Sequence, residues 1–226
     1  MTTAEPGLQD AYTAPNFATS ALIVIDVQRD FLSEASYGVP GTTEILPALR
    51  RSVSTFRTAG RPVVHVVRLY EEGGGNADLV RRRLLEWGVR IAAPGTPGSE
   101  PADGLLPEGA SALDPELLLS GRPQRLGPYD HAVFKPRWGA IYRTCLEELL
   151  GKLGVDTLVF AGCNLPNCPR ASIVQASERD FRVALVRDAV SPVTDSAWTE
   201  LAGIGVGILD TAALEALLAE PEAQAD

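Results

Sequence analysis

Three residues in this chain have side chains that could do covalent chemistry on a small molecule, and each stands where an apolar run ends. Asp26 closes ALIVID, Lys135 closes HAVFK, and Cys168 lies in the turn GCNLPNCPR that follows DTLVFAG. A carboxylate or ammonium at the end of a buried segment loses hydration, which is costly unless the group is paired. Asp26 and Lys135 can neutralise each other if their segments meet at one edge. Taken singly, Asp26 also fits a buried acid that caps a loop, and Lys135 a lysine that reaches out to solvent. The turn at Cys168 is more specific. Pro169 suits the first helical position, where its missing N–H is not needed, so Cys168 falls at the N-cap. A sulfur there feels the positive end of the helix dipole, which lowers its pKa and favours the attacking thiolate.

Other centres find less support. There are only two histidines, His65 within one apolar run and His131 at the start of another, and no H-E-x-x-H or paired C-x-x-C. A metal site lacks its ligands, no cofactor is expected, and a cysteine–histidine pair lacks an evident base. Neither a G-x-x-x-x-G-K-[ST] loop nor a G-x-G-x-x-G after a strand occurs, so nucleotide binding has no motif. Basic residues number 20 and acidic residues 29, and the formal charge of −9 argues against nucleic acid and anionic membranes. Three cysteines in 226 residues are too sparse for a disulfide framework. With no secretory leader and no long apolar run, a cytoplasmic protein is expected. Cys145 and Cys163 read as structural thiols, the alternative being a Cys163–Cys168 redox pair.

The elements that must position these groups recur along the chain. Short apolar, β-branched runs at 21–28, 62–67, 131–135, 156–162, 182–188 and 206–210 read as six strands. Helical patterns precede the second, fourth and fifth. Such alternation predicts a three-layer α/β/α sandwich, Rossmann-like, around a six-stranded, mainly parallel sheet. Residues 1–20 read as an N-terminal arm with weak order and 21–226 as one domain. Ligands of parallel sheets bind beyond the carboxyl ends of the strands, which is where Asp26, Lys135 and Cys168 fall.

Residues 70–128, with three consecutive glycines and PGTPGSEPADGLLPEG, are too long for a plain connection. They predict either a lid over the site or a subunit contact. Phe31, Arg68, Trp138 and Tyr142 follow the first three strands and could line a pocket; Trp138 and Tyr142 could equally pack the next helix. Asn167 could donate to substrate or hold its turn. Glu71 and Glu72 suggest tolerance of a cationic substrate.

VIDVQRDF, FKPRWGAIYRT and GCNLPNCPRASIVQASERDFRVALVRDAVS together resemble the isochorismatase-like cysteine hydrolases over about residues 20 to 210. Within that family, GGGNADLVRR, PGTPGSE, KPRWGAIY and GCNLPNCPR look most like the streptothricin hydrolase branch. The resemblance implies a nucleophile at Cys168, a general acid/base at Asp26 and a supporting cation at Lys135. It also implies a non-proline cis peptide at Cys163–Asn164 beside an oxyanion site, and a homo-oligomer. The expected activity is hydrolysis of a C–N bond, in an amide or lactam, through an acyl-enzyme. HVVRLYEEGGG stands where the nicotinamidase branch carries a D-x-H metal pattern, which argues against a metal-dependent nicotinamidase. A small-amide hydrolase of another kind, or a binding protein that never uses its thiol, are the alternatives.

Overall fold

Ser20–Ile25 (β1) reads SALIVI, and every one of its residues is buried. Its side chains alternate between two cores. Ala21, Ile23 and Ile25 belong to one apolar cluster, Leu22 and Val24 to another. An uninterrupted apolar strand is the pattern of a sheet covered on both faces. The computed structural model describes residues 10–191 and 194–219.

Among them β1 is joined by Val63–Val67 (β2), Gln124–Arg125 (β3), Asp130–Phe134 (β4), Thr157–Cys163 (β5), Arg182–Ser191 (β6) and Gly207–Leu209 (β7). The sheet order is β3-β4-β2-β1-β5-β6-β7. All neighbours run parallel except β3, which pairs antiparallel with β4. The described sheet therefore has seven strands rather than six. The added one is a two-residue edge whose Gln and Arg carry no apolar period.

Leu46–Thr58 (α1) offers Leu46, Leu49, Val53 and Phe56 to one face, where Thr211–Ala219 (α7) adds Leu214. The other face receives Leu146–Lys152 (α4), Cys168–Ser177 (α5) and Asp195–Ala202 (α6). The three-layer α/β/α arrangement follows from this division. Between β2 and β3, Leu79–Glu86 (α2) and Pro115–Leu119 (α3) give the long segment its own small cores, around Tyr70, Leu85 and Ile91 and around Leu113 and Leu118.

The expected arm is partly anchored. The Asn16 N–H donates to Thr157 Oγ1 at 3.0 Å, and Phe17 packs against the α1 core. Residues 1–9 of that arm lie outside the described residues.

The chain passes from β1 to β2 and β4 on one side, then returns to β5 on the other. This reversal opens a crevice between the carboxyl ends of β1 and β5. Gly162 lets the two strands close on each other there. Its φ is +114°, and a Cβ would lie 2.2 Å from the Ile25 carbonyl oxygen, a distance no side chain tolerates.

Candidate active site

Asp26 is the residue at which β1 ends. It takes the left-handed conformation, φ 53°, uncommon for a residue with a Cβ, while its N–H still donates to the Val66 carbonyl at 2.9 Å. Lys135 follows β4 two strands away, and its N–H donates to the Val67 carbonyl at 3.0 Å. Its side chain is fully buried and runs back across the sheet edge, so that Nζ lies 2.7 Å from Asp26 Oδ2. Nζ also donates to the Arg137 carbonyl at 3.3 Å. Asp26 Oδ1 is buried and has no hydrogen-bond partner.

Cys168 is the first residue of α5, and Asn167 takes the N-cap position. This is one residue earlier than the sequence pattern places the helix boundary. The thiol is buried on the wall of a cavity of about 420 Å³ that Asp26 also lines. Its pKa is pushed up to about 11, first by burial and next by the Asp26 charge, against the opposing pull of Lys135 and Arg68. The lowered value expected from the helix dipole is thereby reversed. The dipole is worth about 0.3–2 kcal/mol, whereas full burial can shift a pKa by up to about 3–5 units. A thiol raised in this way is protonated at neutral pH, so a base must take the proton when the sulfur reacts.

The neighbouring Cys163 is a different kind of thiol. It is buried, its Sγ donates to the Asp26 carbonyl at 3.3 Å, and desolvation raises its pKa strongly. The Cys163–Asn164 peptide is cis. All three cysteines are free thiols, and Cys145 sits half-buried at the start of α4.

Phe31, Arg68, Trp138 and Asn167 line the cavity together with Cys163, Asn164 and Cys168. Tyr142 does not reach it. Its ring is exposed in an adjoining groove, 5.3 Å from the Arg143 guanidinium carbon. The reason lies in α5: Gln175 Oε1 accepts the N–H groups of Ile141 and Tyr142, and Ser172 Oγ accepts that of Ala140. These bonds turn the loop after Trp138 onto the outside of the helix.

His65 is occupied elsewhere. Its Nε2 lies 3.2 Å from Asp130 Oδ1, which is also 2.6 Å from Arg57. Among the described residues no three His, Cys, Asp or Glu side chains are grouped as metal ligands.

The remaining wall comes from the 70–128 segment, in which the sequence singles out only Glu71 and Glu72. It supplies Tyr70, Asp78, Val80, Arg81 and Leu84. Asp78 Oδ2 lies 2.9 Å from Arg68 Nη2, both residues being buried. The usable signal was Asp78 itself, an acid standing just before the helical run LVRRRLLE. Glu71 and Glu72 line a separate cavity of about 450 Å³ beyond Tyr70, away from the thiol.

Among the described residues no helix is long and apolar enough to cross a membrane. The family model of the isochorismatase domain matches residues 20–213. A probable inactive nicotinamidase of Arabidopsis thaliana is 31% identical over 200 residues, covering 85% of this chain and 93% of that one. A ureidoacrylate amidohydrolase of Methylobacterium radiotolerans is 29% identical over 191 residues, covering 76% and 67%. The crystal structure of an isochorismatase family protein from Desulfovibrio vulgaris superposes with a TM-score of 0.75 at 31% identity, over 89% of this chain and 99% of that one. With strand order, buried Asp–Lys pair and helix-borne thiol on one crevice, the chain belongs to the isochorismatase family.

Proposed function

We propose that this chain is a cysteine-dependent amidohydrolase that cleaves the C–N bond of a small amide through a thioester intermediate. The observation that carries the reading is the convergence of three chain segments: Lys135 holds one oxygen of Asp26 while the other stays unpartnered, and Cys168 lines the same cavity. Asp26 takes the thiol proton as Sγ attacks the carbonyl carbon. Total charge is conserved in that transfer, and Lys135 stabilises whichever partner carries it. The oxyanion receives the N–H groups of Asn164 and Cys168, the latter one of the first-turn donors that a helix cannot satisfy internally. Asp26 then protonates the departing nitrogen and activates the water that opens the thioester.

The test is a panel of linear and cyclic amides assayed for released ammonia or amine, with intact-mass detection of the acylated enzyme. An adduct on Cys168 that turns over supports the scheme; hydrolysis that persists in Cys168→Ala overturns it. The streptothricin hydrolase-like reading is carried by GGGNADLVRR, PGTPGSE, KPRWGAIY and GCNLPNCPR alone, and a streptothricin lactam belongs in the panel. The relative named as probably inactive favours a second reading, a small-molecule-binding protein. That reading predicts neither adduct nor turnover.

Self-association is part of the same proposal, supported by Leu79 and Trp87 of the α2 region, 81% and 70% exposed. Light scattering that finds only a monomer at micromolar concentration overturns it.

A further inference from the structure

Arg68 ends β2 as Lys135 ends β4, yet its guanidinium has spare donors. The residue is 2% exposed and lines the cavity that holds Cys168. Nη2 lies 2.9 Å from Asp78 Oδ2 as an ion pair, and Nε, Nη1 and that Asp78 oxygen have no hydrogen-bond partner. A buried guanidinium with two unused nitrogens is costly unless a ligand takes them up.

Its placement is also fixed in advance. The side-chain amide of Gln28, itself fully buried, accepts the Arg68 N–H at 2.7 Å and donates to the Arg68 carbonyl at 2.8 Å. The same Nε2 donates to the Ser99 carbonyl at 2.7 Å, which ties this backbone to the far segment. One face of the guanidinium lies 5.5 Å from the centre of the Tyr70 ring. The group is thus held by its backbone, its stacking partner and Asp78, with its remaining donors unspent.

Charge points the same way. The cavity wall carries Arg68, Arg81, Asp26 and Asp78, and Lys135 stands behind Asp26. Three cations against two anions leave a surplus of one positive charge while the thiol is protonated, in a chain whose formal net charge is −9. An acidic protein that concentrates positive charge around a base and a nucleophile lining one cavity is built to attract an anion there.

We propose that Arg68, assisted by Arg81, binds a carboxylate on the substrate, so that the amides cleaved are those that also carry an acid group. Arg68 is a binding residue in this view, and Asp78 holds the guanidinium in place until the substrate arrives. The inference rests on the proposed use of Cys168 as nucleophile, and its test can be read without knowing the natural substrate.

Iodoacetate and iodoacetamide alkylate thiols by the same displacement and differ in one negative charge. The rate of Cys168 modification by each is followed by peptide mass spectrometry on the full-length protein, and their ratio is divided by the same ratio for glutathione. Changes in thiol reactivity common to both reagents cancel. The wild type is expected to favour iodoacetate by about tenfold or more over glutathione. The double variant Arg68→Gln/Asp78→Asn, which leaves no unpaired member of the ion pair and keeps the net charge of the cavity, should lower the ratio several-fold by removing the guanidinium donors, and Arg81→Gln should lower it by less. A wild-type ratio at or below that of glutathione, or a raised ratio that the double substitution leaves unchanged, overturns the proposal.

Should the double variant not fold, protection of the wild type decides. Succinate but not neutral succinamide should slow iodoacetamide saturably, and equal or absent protection overturns the assignment. Turnover of neutral amides with no preference for anions would leave the hydrolase standing and remove this inference. Anion preference with no amide hydrolysed would do the reverse.

Discussion

The cavity has a floor and a wall of different origin. The floor is made at the strand ends by Asp26 and Cys163, with Lys135 behind Asp26, and by the start of α5, all of them buried. The wall is made by Tyr70, Asp78, Val80, Arg81 and Leu84 of an insertion whose small core around Leu85 and Ile91 meets the rest of the molecule at Phe31 and Cys163. A rigid sheet can hold reacting groups to within a fraction of an ångström, while a segment outside the sheet can change without moving them. Chemistry belongs to the floor, and choice of substrate to the wall.

Substitutions in the floor should therefore abolish turnover, and those in the wall should change which substrate binds. Cys168→Ala is expected to lower kcat/KM by about 10⁴-fold or more, with the melting temperature little changed. Asp26→Asn should cost about 10²–10⁴-fold in kcat with substrate still bound, as loss of a general acid/base does. The same substitution should speed alkylation of Cys168 at pH 8, because the Asp26 charge is one of the causes that raise the thiol's pKa to about 11. Slower alkylation in Asp26→Asn would contradict that electrostatic account.

Lys135→Met strands a buried carboxylate, and urea unfolding should register a loss of about 3–5 kcal/mol together with the loss of activity. Titration of the thiol gives a smaller effect with a defined sign. Its pKa is raised in the folded chain, so the protonated form adds stability below the ordinary value near 9.0, and that contribution is lost as pH rises through about 11. Cys168→Ala should flatten this part of the stability curve. Smallest of all, Val80→Ser should shift KM a few-fold while the adjacent Leu79→Ser, which does not line the cavity, leaves it unchanged; both should stay within about 0.5 kcal/mol in stability. If the two behave alike, the wall does not select substrate.

Floor and wall also differ in how plainly they could be read from sequence. Asp26, Lys135 and Cys168 each interrupt or end an apolar run, a local signal that survives without knowledge of tertiary contacts. Arg68 carries the same signal at the end of β2. The wall has none of comparable strength, since Tyr70, Asp78 and Arg81 come together only through tertiary contacts such as that of Asp78 Oδ2 with Arg68 Nη2 at 2.9 Å. Tyr142 was placed by proximity to Lys135 along the chain, but hydrogen bonds from α5 turn it away. The direction of the thiol's pKa shift is not legible in the sequence, because helix position is visible there and depth of burial is not. The edge strand β3 escaped notice because two polar residues show no period.

The meeting of β1 and β5 at Gly162 has one more implication. The backbone there leaves room for a hydrogen and nothing larger. A single methyl, the least that mutation can add, would wedge the carboxylate-bearing segment away from the sulfur-bearing one without touching either group. Reactivity in this fold thus depends on an atom that is missing as much as on those present.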